Sequence, residues 1–218
     1  MKKVYVIHTS LALYESINAT FRELLPDVKV VNLIEDTMLK EVIASGGLTP
    51  EITRRICAYV LQAQSAGADA VLNACSSVAE AIDVARSLTS LPCLKIDEPM
   101  AEEAVTLGRN IAVFGTVGTT LAPSRRLIES TAGRLGKDVT VRQYLVEGAF
   151  QVLTEEKDPE KHNRMVLDLI RKVEREHDVI VLAQASMAVL IPYVQDLGKP
   201  VLYSLKSGIS RVKKVLGQ

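Results

Sequence analysis

Short apolar runs rich in Val and Ile alternate along this chain with longer amphipathic stretches, the pattern of a βαβα chain with a parallel sheet. Eight runs read as strands: 4–7, 28–31, 70–73 and 93–96, then 111–115, 140–144, 179–183 and 201–204. Most lack period-2 alternation, as expected when helices cover both faces of a sheet. Residues 50–66 read as a helix with Thr49 as N-cap, Pro50 at the first helical position and Gly67 at its end. Residues 158–176 read as another, with Val166, Leu169, Ile170 and Val173 at helical spacing. Residues 207–216 read as a closing helix.

The strands fall into two matching sets. The first half runs from Asp69 through Asn73-Ala74-Cys75-Ser76 to a helix and Leu91-Pro92. The second runs from Asp178 through Gln184-Ala185-Ser186-Met187 to a helix and Lys199-Pro200. Matched by residue type, Asn73-Ala74-Cys75 lies over Gln184-Ala185-Ser186: an amide, an alanine, a nucleophile-type side chain. The openings match too, Val6-Ile-His-Thr9 over Val113-Phe-Gly-Thr116. So long a period implies a duplicated α/β domain rather than a solenoid. The expected fold is two pseudo-symmetric parallel-sheet (Rossmann-like or flavodoxin-like) domains, residues 1–98 plus 205–218 and residues 99–204, with the active site in the cleft between them.

Ligands of parallel α/β sheets sit beyond the carboxyl ends of the strands. Thr9, Cys75, Thr116 and Ser186 all follow a predicted strand and precede a helix, so Cys75 and Ser186 are expected to face each other. Cys75, Ser76 and Ser77 stand where a helix starts, which favours an anion and a lowered thiol pKa. Thr116-Val-Gly118-Thr119-Thr120 offers a second anion cradle; it lacks the lysine of a phosphate loop and is not a dinucleotide fingerprint. Ser and Thr at helix starts are also ordinary N-caps. Ser186 reads equally as a substrate hydroxyl donor or a small residue at a tight turn, and Asn73 and Gln184 as site amides or turn caps. His8, ending the first strand, reads as a substrate contact, a general acid or a structural histidine. Asp97 and Glu98 can influence Cys75 or serve as a hinge. His162 and His177 are expected in solvent, Cys57 and Cys93 in the core, and residues 155–160 at a solvated helix junction.

Composition narrows the classes. The 218 residues are 48% hydrophobic and 24% charged with a formal net charge of +0. That balance suits a soluble globular protein and gives no electrostatic reason to bind nucleic acid or an anionic membrane. The most apolar stretch, 179–191, is interrupted by Gln184 and Ser186 and falls short of the roughly 18 residues of a membrane span. Three scattered cysteines without CxxC spacing argue against disulfides or zinc and for a reducing cytoplasm.

The duplicated halves, with Asn73-Ala-Cys75-Ser-Ser at one strand end and Ala183-Gln-Ala-Ser186-Met at the other, resemble the aspartate/glutamate/hydantoin racemase superfamily over essentially the whole chain. The resemblance implies an enzyme without a cofactor, in which two cysteines flank the α-carbon of a carboxylate substrate; one removes a proton and the other returns one to the opposite face. The first cysteine maps to Cys75, and the second position is read as Ser186. A hydroxyl is a far weaker acid than a thiol, so chemistry on one face of the substrate is favoured, as in a decarboxylase or cis–trans isomerase of the same superfamily. Arylmalonate decarboxylase retains the C-terminal cysteine instead, so analogous chemistry here implies the opposite product hand. The catalytic pair is thus Cys75 and Ser186. The substrate contacts expected are His8, Thr9, Ser10, Asn73, Ser76, Ser77, Thr116, Thr119, Thr120, Gln184 and Met187, with no metal. The partner is a small carboxylate, and a homo-oligomer is compatible with the chain. The competing class is a small-carboxylate-binding protein that kept the fold and lost the chemistry.

Overall fold

A computed structural model describes residues 1–218. The chain divides into two compact units, residues 1–99 with 204–218 and residues 100–203.

Unit 1 is a four-stranded sheet in the order β2-β1-β3-β4, with β1 Lys3–His8, β2 Lys29–Ile34, β3 Ala70–Asn73 and β4 Cys93–Lys95. All pairings are parallel. Helices α1 Tyr14–Leu24, α2 Met38–Ala44, α3 Pro50–Ser65 and α4 Glu80–Arg86 link them, and α9 Ser204–Val215 returns at the end of the chain. The Val-rich strands leave both faces apolar. One face, carrying Ile7 and Val71, packs on Met38, Ile56, Val60 and Ile82 of α2, α3 and α4. On α9, Gly208 admits close approach to β4: a Cβ there would stand 2.4 Å from the Ile96 carbonyl oxygen. Thr49 caps α3 by accepting from Ile52 N at 3.3 Å, and Gly67, at φ +73°, follows its end.

Unit 2 repeats the order as β6-β5-β7-β8, with β5 Asn110–Gly115, β6 Thr140–Leu145, β7 Val179–Leu182 and β8 Val201–Tyr203. Again every pairing is parallel. Helices α5 Glu98–Leu107 and α6 Gly118–Arg134 cover the face of Ile111, Val113 and Val181. The short α7 Ala149–Gln151, the helix α8 Pro159–Val173 and a 3-10 segment Ala185–Tyr193 cover the face of Ala112, Phe114 and Ile180. Nine residues is long for a 3-10 helix; Pro192, near its end, cannot donate a backbone hydrogen bond.

All eight expected strands are present, the third with the expected ends and the others with ends moved by at most three residues. The histidine expectation fails. His162 and His177 are each 4% exposed, because α8 packs His162 inward and Tyr144 draws His177 in, with 2.8 Å between its Oη and His177 Nε2. Met187, expected as a substrate contact, is fully buried among Phe114, Ile180 and Leu190 and packs in the core of unit 2.

Candidate active site

In each unit the chain leaves the first strand in one direction and returns on its other side, so the topological switch lies between β1 and β3 and between β5 and β7. A crevice beyond the carboxyl ends of those strands is where such sheets take ligands. Thr9 follows β1 and Cys75 follows β3. Thr116 follows β5, and Gln184 follows β7.

The backbone hydrogen bonds fix how the two halves correspond. Asp69 N donates to Lys3 O as Asp178 N donates to Asn110 O, both at 2.8 Å. Val71 N donates to Pro92 O at 2.8 Å as Ile180 N does to Pro200 O at 3.0 Å. Ala74 N donates to Ile7 O at 3.0 Å as Ala183 N does to Phe114 O at 2.9 Å. Asp69 also accepts from Lys3 N, and Asp178 from Asn110 N, each at 2.8 Å. In this register Ala74 matches Ala183, Cys75 matches Gln184, and Ser77 matches Ser186. Matching by residue type had slipped by two positions. Gln184, not Ser186, stands in unit 2 where Cys75 stands in unit 1.

Side chains repeat the correspondence. The Thr9 hydroxyl hydrogen-bonds the Cys75 sulfur, and the Thr116 hydroxyl donates to Gln184 Oε1 at 3.0 Å. The same Oε1 accepts from Thr116 N at 2.5 Å and Val117 N at 3.3 Å. Three donors occupy that oxygen, so Gln184 ties the β5 and β7 turns together. A carboxamide is no proton carrier near neutral pH.

Cys75 keeps part of its surface open while packing against the apolar cluster of unit 1. Burial pushes its thiol up from the ordinary range; hydrogen bonds from Thr9 and from the backbone at Ser77 and Val78 oppose this, and the nearby Asp97 adds to the rise. A lowered thiol was expected from a helix start. The segment after Cys75 is instead a single 3-10 turn, Ser76–Val78, ahead of a seven-residue helix. Its few donors do not outweigh desolvation.

Around the thiol, Asn73 is fully buried and its Nδ2 donates to Cys75 O at 2.8 Å. Ser76 and Ser77 are buried, and Ser76 donates to Asp97. Ser10 is partly exposed on the loop after Thr9. In unit 2, Thr116 and Thr120 are buried. Thr119 and Ser186 are partly exposed at the first turns of α6 and of the 3-10 segment.

His8 is 2% exposed, and a relay invisible in the sequence decides its tautomer. Asn18 Nδ2 donates to Tyr14 O at 2.7 Å, and Asn32 Nδ2 donates to Asn18 Oδ1 at 3.1 Å. Asn32 Oδ1 is therefore the acceptor at 2.8 Å from His8 Nε2, so Nε2 carries the hydrogen. Burial lowers the His8 pKa against that bond, leaving a neutral ring whose bare Nδ1 has no partner.

At matched positions, then, unit 1 carries His8, Asn73 and Cys75 where unit 2 carries Gly115, Leu182 and Gln184. No group of three or more His, Cys, Asp or Glu side chains could hold a metal ion. No helix is long and apolar enough to cross a membrane.

Comparison with known proteins bears on this arrangement. Residues 4–212 match the family model described as Asp/Glu/Hydantoin racemase. Among solved structures, a glutamate racemase isoform from Bacillus anthracis superposes with a TM-score of 0.74 at 17% identity, over 99% of this chain and 82% of that one. An allantoin racemase from Klebsiella pneumoniae gives 0.73 at 19% identity, over 100% and 88%. An aspartate racemase from Picrophilus torridus gives 0.72 at 14% identity, over 99% and 94%. At such identities these likenesses establish the shared two-domain α/β fold. No curated protein sequence matches the chain.

Proposed function

This chain belongs to the Asp/Glu/hydantoin racemase family, and from that premise we propose that Cys75 moves a proton at a carbon next to a carboxylate, without a cofactor and from one face of the substrate. The enzyme is an isomerase by family. The observation that carries the one-sided reading is the mismatch at the second thiol's place, where Gln184 holds its oxygen against three donors.

The step balances with one thiol. Cys75 thiolate takes the α-proton, the electron pair of the C–H bond passes into the carboxylate as an ene-diolate, and the same S–H returns a proton to that carbon, which exchanges the α-hydrogen with retention. Inversion then takes a slower proton from solvent on the other face, with Cys75 passing its own proton to solvent. Loss of carbon dioxide from a malonate produces the same ene-diolate and needs only the return step, so a decarboxylase is the natural second reading. Thr9 and the Ser77 and Val78 amides stabilise the thiolate. Ser76, Ser77, Thr116, Thr119 and Ser186 are proposed to bind substrate oxygens. Three free cysteines suit a reducing cytoplasm.

The test incubates each enantiomer of glutamate, aspartate and allantoin, together with malonates and maleate, in heavy water. Deuterium uptake or decarboxylation that disappears in Cys75→Ala supports the proposal. Turnover that survives the substitution removes Cys75 from the mechanism. Racemisation as fast as exchange would demand a second proton carrier and reject one-sidedness. Tight binding of a carboxylate without turnover or exchange would favour the non-catalytic alternative.

A further inference from the structure

The chemistry above leaves one buried ionisable group beside Cys75 unused. Asp97, just past β4, is 1% exposed. Ser76 donates to its carboxyl, and its Oδ1 has no partner. The nearby cations are engaged elsewhere. Lys95 Nζ lies 2.6 Å from Asp83 Oδ2. Arg86 binds Glu98 at 2.8 Å and donates to the Cys93 carbonyl at 2.8 Å. An ionised Asp97 would be a buried charge without a counterion, which proteins avoid by neutralising the group. Burial does push this carboxyl up, against Ser76, its own backbone and Lys95, while Glu98 adds to the rise.

One strand away stands a second orphan. Asn73 is 0% exposed and its Oδ1 is also without a partner. Asn73 is the register partner of Lys95, and Ile96 N donates to Asn73 O at 3.1 Å. Asp97 therefore leaves β4 just beyond the level of Asn73, whose side chain leans the same way to reach Cys75 O. Two bare acceptors cannot satisfy each other. A proton on the carboxyl would supply the donor that the amide oxygen lacks.

We infer that Asp97 is protonated in the folded protein and donates to Asn73 Oδ1, making it a positioning residue for the turn that carries Cys75. The result is a closed ring of bonds. Ser76 donates to Asp97, Asp97 to Asn73, and Asn73 to the Cys75 carbonyl, so the turn is held from both sides. The neutral carboxyl also leaves a thiolate unopposed. As pH rises through the raised Asp97 value, the bond to Asn73 is lost and a negative charge appears beside the sulfur. The charged and titratable groups around Asp97 are Cys75 on the β3 turn, Lys95 and Glu98 flanking it in the chain, and Asp83 and Arg86 from α4. On α9, which packs against β4, Lys206 reaches Glu23 instead.

The test uses the full chain as wild type, Asp97→Asn, Asp97→Ala and Asn73→Ala. Infrared difference spectra read the carbonyl band of a protonated carboxyl, and alkylation of the Cys75 peptide, followed by mass against pH, reads the turn. Wild type should show the band at neutral pH, Asp97→Asn should lack it, and Asn73→Ala should shift it. Asp97→Asn, whose amide can donate to Asn73 and accept from Ser76, should keep the neutral-pH alkylation rate within about threefold while losing the alkaline inflection. Asp97→Ala should change that rate by about tenfold or more. Absence of the band in wild type, or an Asp97→Asn variant as impaired as Asp97→Ala, overturns the inference. Should Asp97→Ala fail to fold, the wild-type and Asp97→Asn spectra decide alone. The inference draws its functional meaning from the Cys75 proposal, but neither readout requires turnover, so the two fail separately.

Discussion

Replacing Gln184 with Leu tests the claim that this side chain is a structural tie in the place of a second thiol. Its Oε1 accepts from Thr116 N, Val117 N and the Thr116 hydroxyl, in residues only 7% and 5% exposed. Leu has similar volume and no acceptor, so both backbone N–H groups lose their partner inside the protein. Each such loss costs about 1–3 kcal/mol. The Val117 bond is long and the Thr116 hydroxyl can rotate to another acceptor, so a total of about 2–4 kcal/mol is expected. Urea denaturation followed by far-UV circular dichroism measures it, provided the slope against urea is unchanged. Gln184→Glu supplies the control. Its carboxylate keeps the oxygen and accepts charge-assisted bonds, so it should match or exceed the wild type at neutral pH. Those bonds hold its folded pKa below the unfolded value, so the advantage is present above the unfolded value and lost as pH falls through the folded one. A Gln184→Leu variant within about 0.5 kcal/mol of wild type would refute the three-donor anchor. With it would go the main reason for denying unit 2 an acid–base role.

Three further substitutions test neighbouring parts of the structure. Thr9→Val removes a hydroxyl that stabilises the Cys75 thiolate, so alkylation at neutral pH should slow by about 3- to 10-fold; an unchanged rate would deny the contact. Tyr59 is pushed up to about 12 by burial and by its hydrogen bond to Glu35. Its stabilising contribution is full below the unfolded tyrosine value and lost as pH climbs through about 12; ultraviolet titration should show a late phenol that Tyr59→Phe abolishes. Gly208→Ala sets a Cβ 2.4 Å from the Ile96 carbonyl and should cost about 3 kcal/mol by denaturant titration, because a rigid backbone atom must shift; a cost below about 1 kcal/mol would show that α9 can lift away from β4.

The strands were legible because strands covered by helices on both faces read as unbroken Val and Ile runs, as at 70–73 and 179–182. Thr49 and Gly67 marked the ends of α3 through chemistry that is local to the sequence. The repeat was legible as well, but its register was not. Residue types set Ser186 over Cys75, whereas pairing of Ala74 with Ile7 and of Ala183 with Phe114 sets Gln184 there. Such a slip is invisible without the ladder, since Asn, Gln, Ser and Cys all suit a strand-to-helix turn. The thiol's direction of shift was misjudged for a related reason. A helix start can be read from a sequence, but the desolvation that overrides it depends on packing from α2, α3 and β4. The His8 relay needed Asn18 and Asn32, which only the pairing of β1 with β2 and the position of α1 bring within reach.

Duplication explains why the two halves can diverge without loss of the fold. Each unit needs its aspartate at the start of the third strand, its apolar strands and its threonine after the first strand; both retain them, as Asp69, Thr9, Asp178 and Thr116 show. None of these needs involves the positions of His8, Asn73 and Cys75. At those positions unit 2 carries glycine, leucine and an amide whose oxygen is taken up by its own loop. Buried polar atoms short of a partner occur in both units, at His8 Nδ1, Asn73 Oδ1 and Asp97 Oδ1 in unit 1 and at Ser124 Oγ, Glu174 Oε2 and His177 Nδ1 in unit 2; a proton on Asp97 would satisfy the pair at Asn73 and Asp97. What sets unit 1 apart is the thiol itself, since all three cysteines lie in it.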